Sequence, residues 1–157
     1  MLTPEFTIRR IQRLQARIVE IVDAQLDALD AAGSPADLVE HVTLPIPSLV
    51  ICELLGVPYA DRDDFQRRSA RQLDLSAPIP ERLQLQQEGR AYMGSLVDRA
   101  RAAPGEDILG MLVREHGDDL TDDELIGIAG LLLLAGHETT SNMLGLGVLA
   151  PLPHREQ

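Results

Sequence analysis

Apolar residues recur at helical spacing along most of this chain. Ile8, Ile11, Leu14, Ile18, Val22, Leu26 and Leu29 fall three or four positions apart, which predicts an amphipathic helix ending near Gly33-Ser34-Pro35. Asp37-Leu38-Val39-Glu40-His41-Val42 reads as a short strand or an extended turn. A helix is expected over about 47 to 55, closed by Gly56-Val57-Pro58. Asp61 caps another to about Leu73, and Pro80 opens one to about Ala103. Pro104-Gly105 breaks that helix, and a shorter one follows from Asp107 to His116.

The last helix is different in kind. Thr121-Asp122-Asp123-Glu124 has the form in which Thr121 and Glu124 satisfy each other's free backbone donors, and its acids suit the positive end of the helix dipole. The apolar pattern then runs to about Ala150, where Pro151 and Pro153 forbid continuation. At 1.5 Å per residue, a helix over about 121–150 is roughly 45 Å long. Leu, Ile and Val stand on all sides from 125 to 134, so this half is expected to be surrounded by protein. Gly127, Gly130, Gly145 and Gly147 each cost about 1 kcal/mol relative to alanine, and close helix packing is the ordinary reason for them.

Within that helix the polarity changes abruptly. Leu125 to Gly136 carries no polar side chain, and then His137, Glu138, Thr139, Thr140, Ser141 and Asn142 follow in succession before Met143 and Leu144. Burying Glu138 there is costly unless it is hydrogen-bonded or handles protons. Gly136 stands directly ahead of the patch, where a missing side chain admits a flat ligand to the backbone and a local widening of the helix can free a carbonyl.

Ala135-Gly136-His137-Glu138-Thr139-Thr140 resembles the A/G-G-x-D/E-T-T/S signature in the long central helix of the cytochrome P450 monooxygenases. Upstream, the segment Leu44 to Pro58, ending Leu54-Leu55-Gly56-Val57-Pro58, is similar to the helix of that family that ends in the same five residues. The resemblance extends from Met1 to Gln157 and is to soluble bacterial members. It implies a mainly α fold, a partial cytochrome P450-like helical core with a long central helix and little strand. Residues 1–157 would form one partial domain. Glu138 and Thr139 would be the catalytic acid–alcohol pair beside the distal face of a heme, the hydroxyl bonding dioxygen and the acid relaying protons. Ala135, Gly136, Thr139 and Thr140 would line the heme. The implied partners are a small organic substrate and a ferredoxin-type electron donor. On their own chemistry, Glu138 also fits a buried acid paired with an arginine, and Thr139 a hydroxyl bonded to its own helix's carbonyl.

Two departures stand against a complete site. The family holds iron through a cysteine thiolate in a glycine-bearing loop, whereas Cys52, the single cysteine, lies between Leu49-Val50-Ile51 and Glu53-Leu54 and reads as a small core residue. The family's E-x-x-R pair is absent as well. The chain is therefore expected to be an internal piece of a normal-length member, with no metal ligand of its own and no monooxygenase activity in isolation. The connector from Asp74 to Pro80 would belong to the segment over the substrate entrance, with Leu73, Leu75 and Ile79 as candidate substrate contacts.

Composition narrows the remaining choices. Fourteen basic against twenty-five acidic residues leave a net charge of −11, which excludes a basic nucleic-acid footprint. The basic residues are all arginine, so no phosphate loop with its lysine exists. Leu125–Gly136, only twelve residues and followed by Glu138, is too short to span a bilayer. Met1-Leu2-Thr3-Pro4-Glu5 lacks the start of a signal peptide, so a cytoplasmic location is expected. His137-Glu138 begins like a zinc-protease motif, but Ser141 stands where its second histidine is required. His41, His116 and His154 have no metal-ligand spacing and read as surface residues. A non-enzymatic helical ligand-binding or regulatory domain is the alternative that explains a missing iron ligand without any further segment.

Overall fold

The computed structural model describes residues 8–73 and 76–150, with side chains left aside at 8–11, 13, 70, 72 and 73. Six α-helices carry the fold: α1 (Ile8–Ala32), α2 (Pro45–Leu55), α3 (Arg62–Leu73), α4 (Ile79–Ala102), α5 (Ile108–His116) and α6 (Asp122–Leu149). No strand occurs among the described residues, as the mainly α reading requires. None of these helices is long and apolar enough to cross a membrane. The chain divides into two compact units, one of Met1–Val50 with Gly136–Gln157 and one of Ile51–Ala135.

In the first unit, Ile21 of α1, Val42 and Ile46 form a buried cluster, with Leu29, Leu38, Leu49 and Leu144 packed on it. Gly33 ends α1 at φ +80°, a left-handed position that glycine alone adopts freely. The segment expected as a strand or extended turn is a π-helical turn over Val39–Thr43. Its start explains the difference. Asp37 Oδ1 accepts from the amides of Val39 at 2.8 Å and Glu40 at 3.2 Å, so the chain is capped into a helical turn that buries Val42 and Thr43. Helix α2 also starts earlier than the apolar pattern indicates, because Pro45 is compatible with the first helical turn.

In the second unit, Gly56 closes α2 at φ +68°, with the Val57 amide donating to the Cys52 carbonyl at 2.9 Å. A Cβ on Gly56 would stand 2.7 Å from Asp107 Cγ, and Asp107 itself caps α5 by accepting from the Gly110 amide at 2.8 Å. The core here is Cys52, Leu55, Phe65, Val97, Leu109, Leu112 and Leu125, all buried. Arg62 is buried too, bonded to Glu53 at 2.7 Å and stacked 4.1 Å over the Tyr59 ring.

Helix α6 is begun by the motif read from sequence. The Thr121 amide and hydroxyl both donate to Glu124 Oε2 at 2.8 Å, and the Glu124 amide donates back to Thr121 Oγ1 at 3.3 Å; the two bonds to the carboxylate, the backbone one foremost, hold it below its ordinary pKa of 4.5. Arg101 at the end of α4 fixes the approach, donating to the carbonyls of Gly117 at 2.7 Å and Leu120 at 2.6 Å and to Asp122 at 2.9 Å. Two expectations fail along this helix. Leu131 and Leu134 are more than half exposed, so the residues from 125 to 134 are not surrounded. Gly127, Gly130 and Gly147 meet nothing within 4 Å of a built Cβ, and Gly145 only the Thr43 methyl at 4.0 Å, so close packing is not their reason among the described residues. The common cause is a helix face against which none of the described residues is laid.

Replacing Arg101 by methionine is expected to cost about 2–3 kcal/mol, since its bonds are charge-assisted and its acceptors are left unpaired. Leu146→Ala, on an exposed position, should stay within about 0.5 kcal/mol. Urea midpoints at unchanged slope measure both; an Arg101 effect no larger than that of Leu146 would discredit the clamp.

Candidate functional site

The polar patch falls inside an unbroken α-helix. Helix α6 continues through Gly136 without the widening considered from sequence. A residue every 100° sets each fourth side chain about 40° on from the last, and Leu125, Ala129, Leu133, His137 and Ser141, all buried, form a row that winds about 160° round the helix. The inward ridge is thus apolar in its first half and polar in its second. Glu138, Thr139 and Thr140 are exposed, as is Ala135, while Gly136 is half-buried.

Glu138 is therefore spared the cost of burial. Its neighbours in sequence take the inward positions, and the carboxylate is left to water. Nor is it the arginine-paired acid considered above, for it forms none of the ion pairs among the described residues. Around the pair, α6 exposes Leu131, Leu134, Met143, Leu146 and Leu149, each more than half accessible. Single exposed leucines are ordinary, but a stripe of them along one helix marks a contact surface.

The buried polar members are organised differently. His137 is 2% exposed, and its Nε2 lies 3.3 Å from the Leu44 carbonyl oxygen. Nδ1 is buried with no partner among the described residues. Ser141 Oγ donates to the His137 carbonyl at 2.8 Å. Burial pushes the imidazole below its ordinary pKa of 6.5, against the Leu44 carbonyl and the Glu138 carboxylate, which both favour the charged form. Sequence reasoning set His137 aside as a failed zinc motif. The four-residue spacing from Leu125 was the signal that placed it inside.

Two further features bear on cofactor and ligand. Cys52 is fully buried, and desolvation, partly offset by Arg62 and reinforced by Glu53, raises its thiol pKa to about 12. It is a neutral core thiol, and no group of His, Cys, Asp and Glu suited to a metal occurs among the described residues. In the second unit a cavity of about 280 Å³ is lined by Ser69, Gln86, Arg90, Met93, Leu131 and Leu134, among others. Of the connector residues, Ile79 is exposed at the start of α4; Leu75 and the Leu73 side chain lie outside the described residues. His41 and His116 are half-buried rather than on the surface, and His154 is outside the description.

Comparison with known proteins resolves the family. No family model matches the chain. Cytochrome P450 FAS1 of Rhodococcoides fascians is 56% identical over 157 residues, all of this chain and 39% of its own length. The chain belongs to the cytochrome P450 family. Vitamin D3 dihydroxylase of Streptomyces griseolus is 42% identical over 159 residues, 100% of this chain and 39% of that protein. Among solved structures, the complex of the X-domain and OxyB from teicoplanin biosynthesis matches with a TM-score of 0.94 at 46% identity, over 99% of this chain and 42% of the other. The chain spans about two-fifths of the length of these relatives. The family is one of heme proteins.

The buried histidine makes a pH dependence. Its folded pKa lies below 6.5, so the unfolded chain binds the proton more readily. The stability it permits is present above pH 6.5 and is lost as pH falls through the lower folded value. Urea midpoints between about pH 7.5 and about pH 5.5 are expected to drop, and His137→Phe should remove part of that drop. An identical acid slope in the variant would rule out a titrating His137.

Proposed function

We propose that this chain is a partial domain, residues 1–157, of a bacterial heme-dependent monooxygenase that activates dioxygen to hydroxylate a small organic substrate. Residues of about 121–150 form its oxygen-activating helix. The observation that carries the proposal is the outward placement of Glu138 and Thr139 within the exposed apolar stripe of α6. A hydroxyl both accepts and donates, so Thr139 can hold a proton toward a bound reactant while Glu138, open to water, exchanges protons with solvent.

The residues present fit one wall of a heme pocket and not its ligand set. Ala135 and Thr139, four apart, and half-buried Gly136 leave the helix low enough for a flat macrocycle, with Thr140 beside them. The axial thiolate has no candidate here, because Cys52 is sealed in the core and protonated. These 157 residues alone are therefore inactive and bind no thiolate-ligated heme; the ligand comes from residues other than these. The cavity beneath α3 and α4, with Leu131 and Leu134 in its wall, is the substrate-facing space in this reading, and a ferredoxin-type protein in the cytoplasm supplies electrons.

A second reading, a non-enzymatic helical ligand-binding or regulatory domain, draws support from the same cavity, which lies wholly within the second unit and needs no iron. Association separates the two. A self-sufficient domain stays monomeric as its concentration rises, whereas a folded piece with an uncovered apolar stripe associates through it.

Titration of the 157-residue protein with heme should give no thiolate-type spectrum, and Cys52→Ser should leave the result unchanged. A thiolate spectrum abolished by that substitution would refute the assignment. In a protein carrying these residues together with an axial thiolate, Glu138→Gln is expected to lower kcat about 100-fold with substrate binding unchanged. Turnover within about twofold of the parent would put proton handling elsewhere.

A further inference from the structure

The second half of the α6 ridge presents a problem in energetics. A phenylalanine or leucine would fill the place of His137 without burying an unpaired nitrogen, and an unsatisfied buried acceptor is costly. The imidazole nevertheless sits there at 2% exposure with Nδ1 unpartnered among the described residues. What it gains is one bond. The Leu44 carbonyl can only accept, so the 3.3 Å contact requires the proton on Nε2 and leaves Nδ1 bare. That bond joins residues 93 positions apart, both within the first unit. It ties the residue immediately before Glu138 to the peptide that leads into α2.

The consequence is rotational. Glu138 and Thr139 follow His137 by one and two residues, roughly 100° and 200° around the helix. A helix is roughly 5–6 Å in radius with its side chains, so a roll of about 10° displaces an outward tip by roughly 1 Å. A misplacement of that size is enough to cost about 100-fold in a reaction that depends on alignment. The apolar contacts of Leu125, Ala129 and Leu133 are non-directional and resist such a roll weakly; a hydrogen bond has a preferred direction.

We propose that His137 is a positioning residue, a neutral imidazole whose Nε2–H bond to the Leu44 carbonyl sets the roll of α6 and hence the direction of Glu138 and Thr139. Ser141, bonded to the His137 carbonyl, braces the same turn. What the positioned pair does rests on the proton-handling reading above; the roll itself does not.

The test uses nitrogen-15 and carbon-13 NMR on the whole chain with two variants. H137Q keeps an amide donor at similar reach, and H137F keeps a ring without one. In the parent, His137 (identified by its loss in H137Q) is expected to show a protonated Nε2 and a bare Nδ1. H137F should exchange its amides at 137–142 about 3- to 10-fold faster, the loss of one hydrogen bond; H137Q should restore the parent rates. A proton on Nδ1, an H137F indistinguishable from the parent, or an H137Q no better than H137F would each overturn the proposal. If H137F does not fold, the tautomer and the H137Q exchange rates decide. None of these readouts involves heme, so an active-site reading that failed with Glu138→Gln would leave them standing, and the reverse holds as well.

Discussion

The every-fourth-residue ridge of α6 is the constraint from which the rest follows. Leu125, Ala129, Leu133, His137 and Ser141 are each buried, and at every turn the side of the helix opposite this winding row faces outward by helical geometry. The outward line is where Glu138 and Thr139 stand, between Leu131 and Leu134 on one side and Met143 and Leu146 on the other. No special device is needed to bring an acid and an alcohol to the surface of an apolar helix. The ridge brings them there by taking the other side.

Such a helix is poorly supported by its own sequence. Gly127, Gly130, Gly145 and Gly147 each cost about 1 kcal/mol relative to alanine, and the space a side chain would take at each is open or nearly so. Large side chains on the outward stripe would each contribute about 1.5–3 kcal/mol if covered, and here they are not. Compensation comes from the ends and the ridge: the reciprocal Thr121–Glu124 cap, the Arg101 clamp on the turn before it, and the inward leucines. The glycines and the stripe make sense together as a face shaped for something flat and apolar to lie against. An alanine-rich helix would be more stable and less able to receive it.

Much of this was legible in the residues. The Thr121–Glu124 cap of α6 and the Gly56 stop of α2 are local signals, the first set by side chain-to-backbone bonds and the second by a left-handed glycine and a backbone bond, and each stands where the sequence pointed. The π-helical turn at Val39–Thr43 was not legible, because Leu38, Val39 and Val42 suit a strand and a capped turn alike until Asp37 Oδ1 is seen to hold two amides. Exposure of Leu131 and Leu134 was also hidden, since periodicity says which side chains are apolar and not whether anything covers them. For the polar patch, the run of residue types shows polarity but not direction. Six polar residues in a row occupy every side of a helix, and only two of them, His137 and Ser141, fall on the inward line.

That division sorts the chemistry of α6 by direction. Groups on the ridge are held in low-dielectric surroundings, where a polar atom must be bonded or costs free energy; substitutions there act first on stability. Groups on the outward line are hydrated and unconstrained by packing, so substitutions there act on whatever the helix faces in the whole protein. Cys52 belongs with the first kind: a thiol raised to about 12 inside an apolar core is packing, whatever the family's use of cysteine elsewhere. His137 is the one side chain in which the two kinds meet, since its ring is spent on the interior and its chain neighbours on the surface. A bond from that ring to a distant carbonyl is the shortest physical link between how α2 and α6 pack and where an acid and an alcohol point.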